Sequence, residues 1–208
     1  WDHIQGIPFF DPFYNPNAVF DLYSPFDNAK ELLLEQFKSP FFPPNALRTI
    51  CKNINLVKIT PGETFYIDDL EVNFCKMSHP DDSYSYSVSD GTHKFVYATD
   101  VELKSADFSD ADVVAKVFKD ADAIVLDSQY TVEEAYKKQD WGHSAFCYAV
   151  DFAIHWNIKE LYLFHHEPTY DDKKLNSILQ AARWYAQYIN HTDRRIYLAK
   201  ESKEIVLQ

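Results

Sequence analysis

Glu160-Leu161-Tyr162-Leu163-Phe164-His165-His166-Glu167 runs four largely apolar residues together and then stops on two imidazoles. A short run of this kind predicts a buried strand over 160–164, with the chain leaving the sheet at the histidines. Upstream, Ser144 to Trp156 has helical periodicity, and Ala123-Ile124-Val125-Leu126 before it is a second buried strand that ends on Asp127. Ala111 to Phe118 reads as a short helix. Downstream, Asp171 to Ile189 reads as a long helix started by Asp171 or Asp172, and Arg195 to Ala199 as a closing strand. Strand and helix alternate through this half, which is the pattern of an α/β sheet covered by helices.

The first half has a different texture. Leu56 to Ile59, Thr64 to Ile67 and Leu70 to Phe74 are short β-rich runs punctuated by Pro61-Gly62 and Asp68-Asp69, and they predict an antiparallel meander. Tyr84 to Val88 and Lys94 to Ala98 follow, hinged by Ser89-Asp90-Gly91-Thr92. Residues 7–45 are rich in Phe and Pro and predict an ordered loop with aromatic anchors, interrupted by a helix near Ala29 to Phe37. Phe9, Phe10, Phe13 and Tyr14 there could cover a site or simply pack an edge. No linker or repeat separates the halves, so the expectation is one domain over 1–208.

The 208 residues carry 32 acidic and 20 basic side chains, a net charge of −12, which disfavours nucleic acid as a partner. With 46% hydrophobic and 16% aromatic residues, the chain can bury a sizeable core and is not a disordered sequence. Only four glycines occur, which excludes Gly-rich repeats. Cys51, Cys75 and Cys147 are too far apart for a CxxC metal site and odd in number, so they read as buried thiols in a reducing, cytoplasmic setting. No apolar run approaches the roughly 20 residues of a spanning helix, so no membrane is expected.

Ionisable residues collect where predicted strands end. Asp2-His3 stand at the start, His79 follows the strand from Leu70, Asp100 ends Phe95 to Thr99, Asp127 ends its strand, and His143 opens a predicted helix after Gly142. His165-His166 complete the series. Groups gathered from strand ends on one rim of a sheet have the usual geometry of an active site. Imidazole with carboxylate suits a first-row divalent metal, and two such ions can clamp the oxygens of a displacement. His93, His155 and His191 lie in a turn, within a helix and past a helix, and read as structural.

In that order the chain resembles the metallo-β-lactamase fold hydrolases, specifically their phosphodiesterase branch, from Asp2 to about Asp172. Trp1-Asp2-His3 looks like the end of the family's His-x-His-x-Asp-His motif, continued by Gln5-Gly6. His79, Asp100 and His165 match its later ligands. His143 is similar to a histidine shared by the tRNA 3′-end-processing nucleases and the phosphonate-pathway cyclic phosphodiesterases.

The resemblance implies a four-layer αββα sandwich holding two divalent ions, zinc or else manganese or iron. One ion would be held by two histidines upstream of Trp1 with His79 and Asp100, and the other by Asp2, His3, Asp100 and His165. It implies that the N-terminal part of the domain, with the residue before Trp1 a histidine, is missing from this sequence. The catalytic set it implies is Asp2, His143, which would bind a phosphoryl oxygen or protonate the leaving group, and Asp127, which would orient His143. His166 is the alternative ligand to His165.

His79 and Asp100 are 21 residues apart, room for one hairpin and not for the RNA-gripping arm that the tRNA-processing nucleases usually insert there. The expected substrate is therefore a small, even cyclic, phosphodiester, and a homodimer is compatible with the family. A nuclease is the alternative enzyme, and a metal-free sensor or interaction domain the alternative outside catalysis.

Overall fold

The computed structural model describes residues 3–42, 53–191 and 193–207. They form two compact units, Trp1–Thr60 and Pro61–Gln208.

In the first unit, β1 (Phe20–Ser24) and β2 (Ile54–Lys58) pair in parallel, with Phe20 opposite Ile54 and Ser24 opposite Lys58. Helix α1 (Ala29–Glu35) lies between them in sequence. Phe13, Leu33, Phe37 and Ile54 are buried together, and the Phe13 ring centroid is 4.4 Å from that of Phe20. Phe9 and Phe10 remain largely exposed.

Two expectations are corrected here. Residues 7–45 contain more regular structure than a loop with one helix. Pro8 and Pro12 sit in the first turns of two 3-10 turns, Ile7–Phe9 and Asp11–Tyr14, where a missing N–H breaks nothing. Strand β1 occupies the proline-free stretch between Pro16 and Pro25. The run expected to open the meander pairs instead with β1, held also by Asn55 Nδ2 donating to Asp21 Oδ1 at 3.1 Å. That partner lies more than thirty residues upstream, beyond the reach of local turn signals.

The second unit is built on one seven-stranded sheet, ordered from β3 to β9 in sequence order. Strands β3 (Phe65–Ile67), β4 (Leu70–Met77), β5 (Ser83–Ser89) and β6 (Lys94–Ala98) form the antiparallel meander. From β6 onward every pairing is parallel, through β7 (Ala123–Asp127), β8 (Glu160–Phe164) and β9 (Arg195–Leu198). Parallel neighbours need crossovers, which contain α2 (Asp112–Phe118), then α3 (Val132–Lys137) with α4 (Phe146–His155), then α5 (Asp172–Tyr188).

Alternation along the strands decides what each face meets. Ile124, Leu126, Leu161 and Leu163 enter one large core with Phe118 of α2, Phe152 of α4 and Ile178 of α5. Ala123, Val125 and Tyr162 form a second cluster with Phe95, Phe164 and Tyr197. All five residues of β7 are buried, as expected of a parallel strand covered on both faces. The rings of Phe118 and Phe152 meet edge to face at 4.8 Å, and truncating either to alanine would cost on the order of 3–5 kcal/mol. The α/β class expected from the sequence is the one found.

Candidate metal centre

Strands β6, β7 and β8 run in parallel, and β4 points the same way because two antiparallel pairings separate it from β6. Their C-terminal ends therefore share one edge of the sheet. Asp100 lies two residues past β6, Asp127 ends β7, His165 follows β8 and His79 lies two residues past β4. Asp100 and His165 both take positive φ, 57° and 56°, where non-glycine residues are uncommon.

The edge brings four groups together. Ligand atoms of Asp100, Asp127, His143 and His165 all lie within 4.8 Å of one another. His165 Nε2 is 2.8 Å from Asp100 Oδ1, and His165 Nδ1 is 3.2 Å from Gln129 Nε2. The His143 ring stacks on that of His165 with centroids 4.7 Å apart. His79 stands outside this tight set, with its ring centroid 6.0 Å from that of His143.

Asp127 has no exposed surface and four donors on its carboxylate. Backbone N–H groups of Gln129 and Ser144 donate to Oδ1, at 3.3 and 3.1 Å. Val101 N–H donates to Oδ2 at 3.2 Å, and His143 Nδ1 lies 2.7 Å from the same oxygen. With its lone pairs used in this way, Asp127 orients His143 and leaves the imidazole Nε2 for the site.

His143 precedes its helix instead of opening it. The helix starts at Phe146 with Ala145 as its cap, so the histidine sits on an extended connection. That connection is held at both ends. Ser144 Oγ donates to Val101 O and accepts from Leu103 N–H at 2.9 Å. Glu102 accepts from the N–H groups of Asp140 and Gly142 at 2.9 and 3.0 Å.

Gly142 is required where it stands. Its φ is +90°, and a Cβ there would fall 2.3 Å from Cδ2 and 2.4 Å from Nε2 of His79. The backbone thus approaches the His79 ring as only glycine allows. His79 Nδ1 is held by the backbone of Asp81, 2.9 Å from its carbonyl oxygen and 3.2 Å from its N–H.

The residues fit a divalent ion. Two imidazoles are held at Nδ1, His79 by the backbone of Asp81 and His165 by the amide of Gln129, which fixes the direction in which each Nε2 edge faces. Asp100 supplies a carboxylate against His165. Nitrogen with carboxylate oxygen is the donor chemistry of zinc, manganese and iron.

Of the other expected residues, His3 lies in an exposed turn of the first unit, and Asp2 lies outside the described residues. His166 does not join the cluster: its ring nitrogens are buried without a hydrogen-bond partner among the described residues, and burial, then the neighbouring His165, lowers its pKa. Sequence reasoning missed Gln129 and Glu102. Gln129 was findable, being two residues after Asp127 on an extended chain and so on the same side.

The sequence matches the family described as "Beta-lactamase superfamily domain" over residues 1–166. No curated protein matches it. Among solved structures it is similar to the metallo-beta-lactamase fold protein YhfI from Bacillus subtilis, at 16% identity and a TM-score of 0.65, covering 96% of this chain and 69% of that one. Unliganded yeast PDE1 shares 16% identity at a TM-score of 0.69, covering 96% and 64%. The short form of human tRNase Z shares 14% at 0.63, covering 92% and 68%. The chain thus spans about two thirds of the length of these structures.

Proposed function

From the premise that the chain belongs to the β-lactamase superfamily, we propose that it is a metal-dependent hydrolase of a small phosphodiester. The observation that carries this reading is the pairing of two couples at one sheet edge, Asp100 with His165 and Asp127 with His143. The first couple has the chemistry of metal ligands, and the second has that of an oriented acid or of a hydrogen-bond donor to a phosphoryl oxygen.

Asp100 and His165 would be ligands to one ion, and His79 with Asp100 to another. Bound there, a divalent metal supplies a Lewis acid and lowers the pKa of coordinated water. His143, with Nδ1 anchored on Asp127, keeps Nε2 directed to the site. In its protonated form that nitrogen donates to a phosphoryl oxygen or to the leaving oxygen as the P–O bond breaks. Gln129 holds the ring of His165 at Nδ1 and so fixes its orientation toward Asp100.

Two features favour a small substrate. The interval from His79 to Asp100 holds only the β5–β6 hairpin, whose turn is closed by Thr92 and His93 N–H groups donating to Asp90 Oδ1. The net charge of −12 opposes a polyanion.

The test is metal analysis of the protein, joined to a hydrolysis assay on bis-p-nitrophenyl phosphate with zinc and with manganese. Bound metal and metal-dependent hydrolysis support the reading. Protein that takes up no metal on reconstitution would overturn it in favour of a non-catalytic binding domain.

A further inference from the structure

His143 also lines a cavity of about 360 Å³, together with Leu103, Tyr136, Gln139, Asp140 and Tyr148. That volume lies at the small end of the range for small-molecule sites, roughly 300–1,000 Å³. Tyr136 is 77% exposed and Tyr148 43%. Among the described residues neither ring packs on another aromatic and neither hydroxyl has a hydrogen-bond partner. Other tyrosines of this unit are engaged: Tyr170 donates to Glu134, and Tyr185 to Asp151 at 2.9 Å. Two unengaged rings on one cavity wall have no structural duty that the fold reveals.

Charge narrows what the cavity accepts. Its ammonium group, Lys104 Nζ, is 3.0 Å from Asp140 Oδ1 and 3.9 Å from Glu102 Oε1. Two carboxylates against one ammonium leave the wall with an excess negative charge. A second phosphate is disfavoured there, while an uncharged planar group can lie on a tyrosine face and offer its edge to the Gln139 amide.

The geometry points to a subsite, walled by Tyr136 and Tyr148, for an uncharged aromatic substituent of purine or pyrimidine chemistry on the phosphodiester whose phosphorus lies at His143. The subsite rests on the phosphodiesterase reading for its substrate, but it can be tested apart from it.

The experiment compares Tyr136→Ala and Tyr148→Ala with the unmodified protein, all metal-loaded, on a nucleoside 2′,3′-cyclic phosphate and on glycerol 1,2-cyclic phosphate. The ratio of kcat/KM for the first diester over the second is expected to fall about tenfold in either variant, the size of one lost base–aromatic contact. Tyr136→Phe, which keeps the ring, is expected to retain the ratio. An unchanged ratio in both alanine variants, or equal losses on both diesters, overturns the subsite. Should the unmodified protein hydrolyse neither diester, the hydrolase reading fails separately, and adenosine binding followed by NMR line broadening decides the subsite. Binding that the alanine variants weaken supports it; no binding, or binding that neither variant alters, overturns it.

Discussion

Asp127 Oδ2 lies 2.7 Å from Nδ1 of His143, within hydrogen-bond distance, and the carboxylate is wholly buried beneath it. Orientation of this imidazole is thus assigned to a residue that solvent cannot reach. His143→Ala is expected to leave metal content unchanged while lowering hydrolysis of bis-p-nitrophenyl phosphate by roughly 10²-fold or more, the size of a general-acid contribution. Parallel loss of metal and activity would place His143 among the ligands instead.

Gly142→Ala places a methyl group 2.3 Å from the His79 ring on a backbone at φ +90°. The conformation alone costs an alanine about 1–2 kcal/mol. A lower Tm is expected, with a loss of metal larger than in His143→Ala, because the ring being displaced is a proposed ligand. A variant with unaltered metal stoichiometry and Tm would mean that the 140–142 loop yields freely.

Glu134 closes the capping box of α3. Burial pushes its carboxyl pKa up, but hydrogen bonds from Thr131 and Tyr170 outweigh this and hold it at about 2. A carboxylate depressed in the folded state stabilises fully above its unfolded pKa near 4.5, and that contribution is lost as pH falls toward about 2. Glu134→Gln should therefore differ from the unmodified protein in urea midpoint at pH 6 and converge with it as pH falls below 4. A gap that is constant with pH would assign the difference to side-chain shape.

Burial, aided by Asp107, pushes the Cys75 thiol up to about 12; burial, aided by Asp151, pushes Cys147 up to about 11. Thiolate is the reactive form, so both should resist iodoacetamide at pH 8 in the folded protein and react promptly in urea. Peptide mass spectrometry reads each site by itself. Fast native alkylation of Cys147 would show that α4 opens readily.

Where a segment carried its own boundaries, the sequence was legible. Strands β6 and β8 occupy the predicted Lys94–Ala98 and Glu160–Phe164, each an apolar run between turn residues. Helix α3 was missed although Thr131-Val132-Glu133-Glu134 spells a capping box, because only six helical residues follow and they lack an apolar stripe. Strand β1 was hidden among prolines. In the site, Asp100, Asp127 and His165 were visible because each follows a strong strand. Glu102 was not, since its function is to accept two N–H groups from a loop about forty residues later, a contact that no local pattern encodes.

Asp100 and His165 end their strands in left-handed backbone, a conformation that costs of order 1–3 kcal/mol at each such residue. That expense is met when the sheet closes, before any ligand is present. The donors consequently start from fixed directions, and capture of an ion need not order two wandering loops. The affinity of such a centre is then a property of the folded sheet: a peptide spanning either strand end alone should bind metal no better than ordinary histidine or aspartate, and metal affinity and resistance to unfolding should rise and fall together.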